Sequence, residues 1–187
     1  MHKHRVAYIL SGVALEHAIL VSLTELSGSG YELARRFDKS IGFFWSATHQ
    51  QIYRTLTRMD GAGWITGEAV AQDGRPDKKV YSVSAAGRAE LDRWIAAPTD
   101  PSQLREELAV KIRGAANGDI EALKVEVARH RDVHATRLDV YRLIEKQDFP
   151  APAALTGTAL HQYLVLRGGI RVEEGFTEWC TEVLEKL

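Results

Sequence analysis

THQQIYRTLTRMDGAGWITGEAVAQDGRPDKKVYSV, residues 48–83, carries the pattern from which the fold of the N-terminal half follows. Thr48-His49-Gln50-Gln51 reads as a capping box, in which a hydroxyl at the helix N-cap and a Gln three residues later satisfy each other's orphan amides. At about 100° per residue, Ile52, Leu56 and Met59 share one stripe, the expected core face, and His49 turns toward it as a structural residue. The opposite stripe holds Gln50, Gln51, Arg54 and Arg58, with Tyr53 at the edge of both faces. This helix ends near Gly61-Ala62-Gly63. Two strand-like runs follow, ITGEAVAQ and KKVYSV, joined by Asp73-Gly74-Arg75-Pro76-Asp77, which is strong turn chemistry.

On the N-terminal side, Leu15 to Leu26 is helical in spacing, with Leu15, Ile19, Leu23 and Leu26 recurring on one face. Ser27-Gly28-Ser29-Gly30 breaks that helix, and Ser29 is the expected N-cap of a second one with Tyr31, Leu33, Ala34 and Phe37 on its apolar face. Gly42 and the cluster Phe43-Phe44-Trp45 lead into the helix that starts at Thr48. On the C-terminal side, Ser84 caps a helix from Ala85 to Ala96 whose Leu91, Trp94 and Ile95 are expected to face inward. Three helices, a two-stranded ribbon and a further helix are the plan of a winged helix-turn-helix.

The 187 residues suffice for one ordinary domain or two small ones. Hydrophobic residues at 45% and charged residues at 26% are globular proportions and argue against disorder. No apolar run reaches the roughly 18 residues of a membrane span, and Glu16 and His17 stand where a signal peptide would be cleaved, so neither is expected. A single cysteine, Cys180, fits a reducing cytoplasm and rules out a multi-cysteine zinc site. The prolines at Pro98 and Pro101 divide the chain into residues 1–97 and 98–187. The first part carries 12 Lys/Arg against 10 Asp/Glu and the second 12 against 15, a sign that suits an N-terminal half meeting a polyanion.

A major groove about 12 Å wide admits one helix, which must bury one face and offer donor-bearing side chains on the other. Gln50, Gln51, Arg54 and Arg58 meet that need, since Gln pairs bidentately with adenine and Arg with guanine or phosphate. Tyr53 offers a hydroxyl to a phosphate, Thr48 joins the set at the helix start, and Arg75, Lys78 and Lys79 sit at the ribbon tip. A polar face alone is more often merely solvated. The basic ribbon in fixed order after it favours a reader.

Residues Leu15 to Trp94 resemble the PadR family of bacterial transcriptional regulators. Ser29-Gly30-Tyr31-Glu32-Leu33 matches the family pattern at the second helix. Ile52-Tyr53 matches its Ile/Leu-Tyr pair in the recognition helix, and Lys79-Val80-Tyr81 followed by Gly87 matches its wing. The helical tail is similar to the longer-tailed branch related to virulence-activator proteins. The resemblance implies tail helices that form a homodimer and an aromatic or hydrophobic effector.

In the tail, Asp119 to Gln147 lacks Gly and Pro. Ile120, Leu123, Val127, Leu138 and Tyr141 form a stripe with His130 and His134 in its middle, and a partner helix is expected to cover it. Homodimerisation is favoured over packing within one chain. A last helix from about Leu155 to Leu187 offers Leu160, Tyr163, Leu166, Ile170, Phe176, Trp179 and Val183. Gly168-Gly169 inside it calls either for a close neighbour or for ordinary tolerance. His130 and His134 have metal-ligand spacing without a third ligand, so they read as a hydrogen-bonded pair; Cys180 reads as a small packed residue.

The expectation is a mainly α protein with a small β-wing: a winged helix-turn-helix domain, 1–97, followed by an all-helical dimerisation region, 98–187. Its function would be that of a cytoplasmic, ligand-responsive repressor binding double-stranded DNA at an inverted repeat. The alternative is a winged-helix protein-interaction module without DNA binding. No Gly-rich phosphate loop or nucleophile-base constellation points to an enzyme, and no cofactor or metal is expected.

Overall fold

The computed structural model describes residues 15–39, 47–72, 75–101 and 106–187. The first fourteen residues, the segment with Gly42 and Phe43-Phe44-Trp45, and the Asp73-Gly74 step lie outside the described residues; of Arg75 only the backbone is described. The chain divides into two compact units, Met1–Asp100 and Pro101–Leu187. Among the described residues no helix is long and apolar enough to cross a membrane.

In the N-terminal unit a helix over 15–25 (α1) is followed by a two-residue strand Gly28–Ser29 (β1) and the helix Gly30–Lys39 (α2). Next come α3, His49–Gly61, the strands Ile65–Gln72 (β2) and Arg75–Val83 (β3), and α4, Ala85–Ala96. Leu15, Ile19, Leu20 and Leu23 of α1 meet Leu33, Ala34 and Phe37 of α2 and Ile52, Leu56 and Met59 of α3 in one core. Ile65, Val83 and Leu91 close it from the ribbon and α4.

Local chemistry sets the helix ends. Glu32 N donates to Ser29 Oγ at 3.3 Å while Ser29 N donates to Glu32 Oε2 at 2.7 Å, a capping box on α2. Thr48 and Gln51 repeat it on α3, with Gln51 N to Thr48 Oγ1 at 3.2 Å and Thr48 N to Gln51 Oε1 at 2.8 Å. At the far end of α3, Gly63 adopts φ +74°, Gly63 N donates to Asp60 O and Trp64 N donates to Met59 O. That pairing satisfies carbonyls the helix leaves unmatched. The guanidinium of Arg36 does the same for α1, donating to the carbonyls of Ser22, Leu26 and Ser27.

The sheet is three-stranded and antiparallel in the order β1-β3-β2, with Ser29 opposite Val80 and Ile65 opposite Val83. A two-stranded ribbon was the sequence expectation; β1 is too short to show alternation and lies in the Ser-Gly breaker. Among the described residues of this unit, four side chains differ from their expected burial. Leu26, 64% exposed, lies past the last turn of α1, and Tyr31, 59% exposed, points about 200° around α2 from Leu33. Ile95, 66% exposed, falls in the last turn of α4, beyond the core that receives Leu91 and Trp94. His49 is exposed because it occupies the first helical position, where the stripe of Ile52 has run past the end of the core.

The C-terminal unit is helical. A short helix Glu107–Arg113 (α5) and a 3-10 turn Ala115–Asn117 precede α6, Ile120–Asp148, whose N-cap Asp119 accepts from Glu121 N and Ala122 N. After a second 3-10 turn, Pro152–Ala154, α7 runs from Gly157 to Lys186. The helices lie antiparallel, since Glu145 meets Arg167 near one end and Val127 packs with Cys180 near the other. The buried stripe Val127, Leu138 and Tyr141 is thus covered by α7 of the same chain. A Cβ at Gly168 would meet nothing within 4 Å, so no neighbour among the described residues accounts for that glycine.

Among the described glycines of the N-terminal unit, the tightest backbone approach is at Gly87, where a Cβ would lie 2.0 Å from the carbonyl oxygen of Trp64. A backbone carbonyl cannot swing aside. Gly87→Ala is expected to cost about 1–3 kcal/mol of stability, read as a lowered urea midpoint with unchanged slope.

Candidate nucleic-acid interface

The complete burial of Ile52, Leu56 and Met59 fixes the rotation of α3 about its axis. Gln50, Gln51, Tyr53, Arg54, Thr57 and Arg58 are exposed on its other side. Gln50 and Arg54 make no hydrogen bond or ion pair with the described residues. A guanidinium and a carboxamide one turn apart, both without partners, are free to address base edges or phosphates.

The remaining expected contact residues, apart from Arg75 in β3, whose side chain lies outside the described ones, have internal roles. Thr48 and Gln51 form the capping box, and the Gln51 side-chain oxygen also accepts from the Thr48 hydroxyl at 3.1 Å. Tyr53 is 47% exposed with its ring against Gly30, which sets α2 and α3 close together. Arg58 Nε donates to Glu16 Oε1 at 2.6 Å, tying α3 to α1. Lys78 and Lys79 both lie in β3. Lys78 Nζ donates to Glu32 Oε1 at 2.9 Å, and Lys79 Nζ donates to Asp60 Oδ2 at 2.6 Å and lies 5.2 Å from the centroid of the Tyr81 ring. The hydrogen bond to Asp60 holds the Lys79 ammonium above the ordinary lysine range.

Glu32 therefore serves two elements at once. Its backbone bond from Ser29, reinforced by Lys78, brings the carboxyl down to about 2. The Ser-x-x-Glu spacing of Ser29 and Glu32 was a readable signal for its capping role, whereas its contact with Lys78, 46 residues away, was not. A second group without a sequence signal is His17 on α1. It is fully buried, stacked on Trp94 at 4.4 Å and 12°, and its Nε2 lies 2.9 Å from Glu90 Oε1. Arg93 donates twice to the same carboxylate, which brings Glu90 down to about 2. This cluster fastens α4 to α1.

In the C-terminal unit His134 Nδ1 lies 2.5 Å from Glu173 Oε2, and its ring stacks on Phe176 at 4.5 Å. His130 instead sits beside Glu126, 3.3 Å away, so the two histidines do not converge. Cys180 is buried, and burial pushes its thiol up, which leaves it a packed, unreactive residue.

Residues 19–93 match the model of the transcriptional regulator PadR-like family, and residues 104–187 match that of the virulence activator alpha C-terminal region. A probable transcriptional regulator of Mycobacterium tuberculosis is 56% identical over 185 residues, covering 94% of this chain and 98% of that one. The negative transcriptional regulator PadR of Bacillus subtilis is 26% identical over 182 residues, covering 92% and 97%. Among solved structures, the virulence activator AphA of Vibrio cholerae aligns with a TM-score of 0.77 at 30% identity, over 92% of this chain and 96% of that one. Bacillus subtilis PadR in complex with operator DNA aligns with a TM-score of 0.83 at 24% identity, over 92% and 98%. The same protein with p-coumaric acid gives 0.78, also at 24% identity, over 92% and 97%.

The lowered pKa of Glu32 gives its contribution to stability a definite sign. Its folded value lies below the ordinary 4.5, so the stability it contributes is present above about pH 4.5 and is lost as pH falls toward 2. Glu32→Gln keeps a capping amide but not the charge. The difference in urea midpoint between wild type and Glu32→Gln is expected to be largest near neutral pH and to shrink across that acid window.

Proposed function

Because the chain belongs to the PadR-like family of transcriptional regulators, we propose that it binds double-stranded DNA as a homodimer, each α3 entering a major groove of an inverted repeat. Gln50 and Arg54 read bases, Tyr53 reaches a phosphate from the α2 side, and Thr48 and Gln51 hold the helix start against the backbone. Arg58 and the wing residues Arg75, Lys78 and Lys79 engage phosphate or the minor groove. The observation that carries this reading is the pair Gln50 and Arg54, exposed and without partners among the described residues, on a helix whose opposite face is core.

Residues 1–97 act as the DNA-binding domain and residues 98–187 as the dimerisation domain. A helix-turn-helix reader gains affinity and spacing selectivity from two half-sites. The C-terminal unit leaves Val133, Val140 and Leu143 of α6 and Leu164, Val165 and Val172 of α7 between 42% and 57% exposed. Apolar surface of that extent suits a second copy. The regulator works in the cytoplasm as a repressor released by an aromatic or hydrophobic effector. The relative named a negative regulator and the PadR structure with p-coumaric acid support this. A thermal-shift panel of aromatic acids tests the effector, since a ligand that prefers the folded state raises apparent stability.

Selection of duplexes on the purified protein, followed by mobility-shift titration, tests the DNA reading. Arg54→Ala is expected to weaken the selected duplex by about 1–3 kcal/mol and to relax base preference at one position of each half-site. Equal binding by wild type and variant would remove Arg54 from the interface. For the dimer, Leu164→Asp with Val172→Asp changes exposed positions only, and sedimentation is expected to shift from two chains to one. A two-chain species that persists would place the interface elsewhere.

A further inference from the structure

Three cations of the N-terminal unit are already held by an anion of their own chain. Arg58 is paired with Glu16 of α1, Lys78 with Glu32 of α2, and Lys79 with Asp60 in the last turn of α3. Their side chains are 56%, 34% and 47% exposed, so a phosphate can reach each one without unfolding anything. Lys79 is also laid down along the sheet. Its stem crosses Gly67 so closely that a Cβ there would lie 2.1 Å from Lys79 Cε, and its ammonium lies near the Tyr81 ring. The lysine is thereby directed to the foot of α3 rather than outward. Gln50 and Arg54 face no such competitor among the described residues.

We propose that Glu16, Glu32 and Asp60 act as internal substitutes for DNA phosphate, occupying Arg58, Lys78 and Lys79 in the free protein and so limiting its sequence-independent affinity for duplex DNA. This rests on the DNA-binding reading above. A phosphate that approaches Lys79 must either displace Asp60 or share the ammonium with a second anion. Displacement forfeits the attraction between Lys79 and Asp60, and sharing sets two anions at close range, so either outcome weakens the contact. Sequence-independent binding consists almost wholly of phosphate neutralisation and counterion release, so it is the mode this competition reduces. Base contacts made by Gln50 and Arg54 displace no internal partner and are spared. Asp60 and Glu16 thus become affinity-limiting residues although neither would touch DNA favourably.

The test uses the full chain and a fluorescently labelled mixed-sequence duplex, titrated by anisotropy at low salt and then across a salt series. Asp60→Asn is expected to bind about three- to fivefold more tightly, with a log–log salt slope steeper by about one. Glu16→Gln shifts affinity the same way through Arg58. Gly67→Ala, which pushes the Lys79 stem off Asp60 without altering charge, follows Asp60→Asn. In a Lys79→Met background, Asp60→Asn has no effect. Asp92→Asn on α4 removes the same charge from an exposed position of the same unit and leaves affinity as in the wild type. Unchanged or weaker binding by Asp60→Asn overturns the proposal and leaves the DNA reading intact, as does a gain by Asp92→Asn equal to that of Asp60→Asn. A wild-type chain that fails to bind the mixed duplex at low salt removes the DNA reading and the proposal together.

Discussion

The burial of one stripe of α3 is the constraint on which the N-terminal unit depends. Ile52, Leu56 and Met59 are each at most 1% exposed, and burying each such side chain stabilises the fold by about 1.5–3 kcal/mol. Rotating α3 by half a turn would exchange them for Gln50, Arg54 and Arg58, adding the cost of burying a charge without a partner. The helix therefore has one azimuth. The capping boxes at Ser29 and Thr48 then fix where α2 and α3 begin, so the axial position of the outward residues is set by local hydrogen bonds and their direction by the core.

Electrostatics joins the ribbon to this scaffold. Glu32 completes the α2 capping box with one oxygen and receives Lys78 of β3 with the other. Asp60, at the end of α3, receives Lys79 from the same strand. Two successive residues of one strand point to opposite sides, which is why Lys78 and Lys79 find carboxylates on different helices. The ribbon is held by β1 at its base through Gly28–Tyr81 and Ser29–Val80 pairing, and by these two lysines along its length. Its position is thus coupled to the starts and ends of the helices that carry the outward side chains.

Much of this was legible because the relevant signals are local. The capping box at Thr48, the 3.6-residue stripe of α3, the strand-like run ITGEAVAQ and the Asp119 start of α6 each lie within one element, and the structure has them where the pattern puts them. Family-specific residues at Ser29-Gly30-Tyr31-Glu32-Leu33 added the fold plan. What periodicity missed lies at element ends or across long separations. His49 follows the core stripe in projection but sits where the core has ended, and β1 is two residues long. The ion pairs Arg58–Glu16 and Lys78–Glu32 join residues 42 and 46 apart, so reading Arg58, Lys78 and Lys79 as free donors overlooked their partners. Likewise His17 looked like one residue of an apolar helix, and only the folded chain brings Trp94 and Glu90 to it.

The C-terminal hairpin meets a different problem, the choice of axial offset between two long helices. Apolar stripes alone leave that choice shallow, because a slide by one turn exchanges one aliphatic contact for another. Two polar clamps of opposite sense remove the ambiguity. In one, α7 supplies the carboxylate Glu173, and α6 supplies His134 and Arg137, which reach its two oxygens separately at 2.5 Å and 3.3 Å. In the other, α6 supplies Glu145, and α7 supplies the Tyr163 hydroxyl and Arg167 at 3.3 Å and 3.0 Å. Sliding either helix along the other separates both carboxylates from their donors together. Glu173 is 5% exposed, so losing its partners would leave a desolvated charge that costs far more than the few tenths of a kcal/mol at stake in an exposed pair. Buried ion pairs are poor sources of net stability. Here their effect is to make every offset but one expensive, and that holds the exposed apolar residues of α6 and α7 in a single fixed pattern on the surface of the unit.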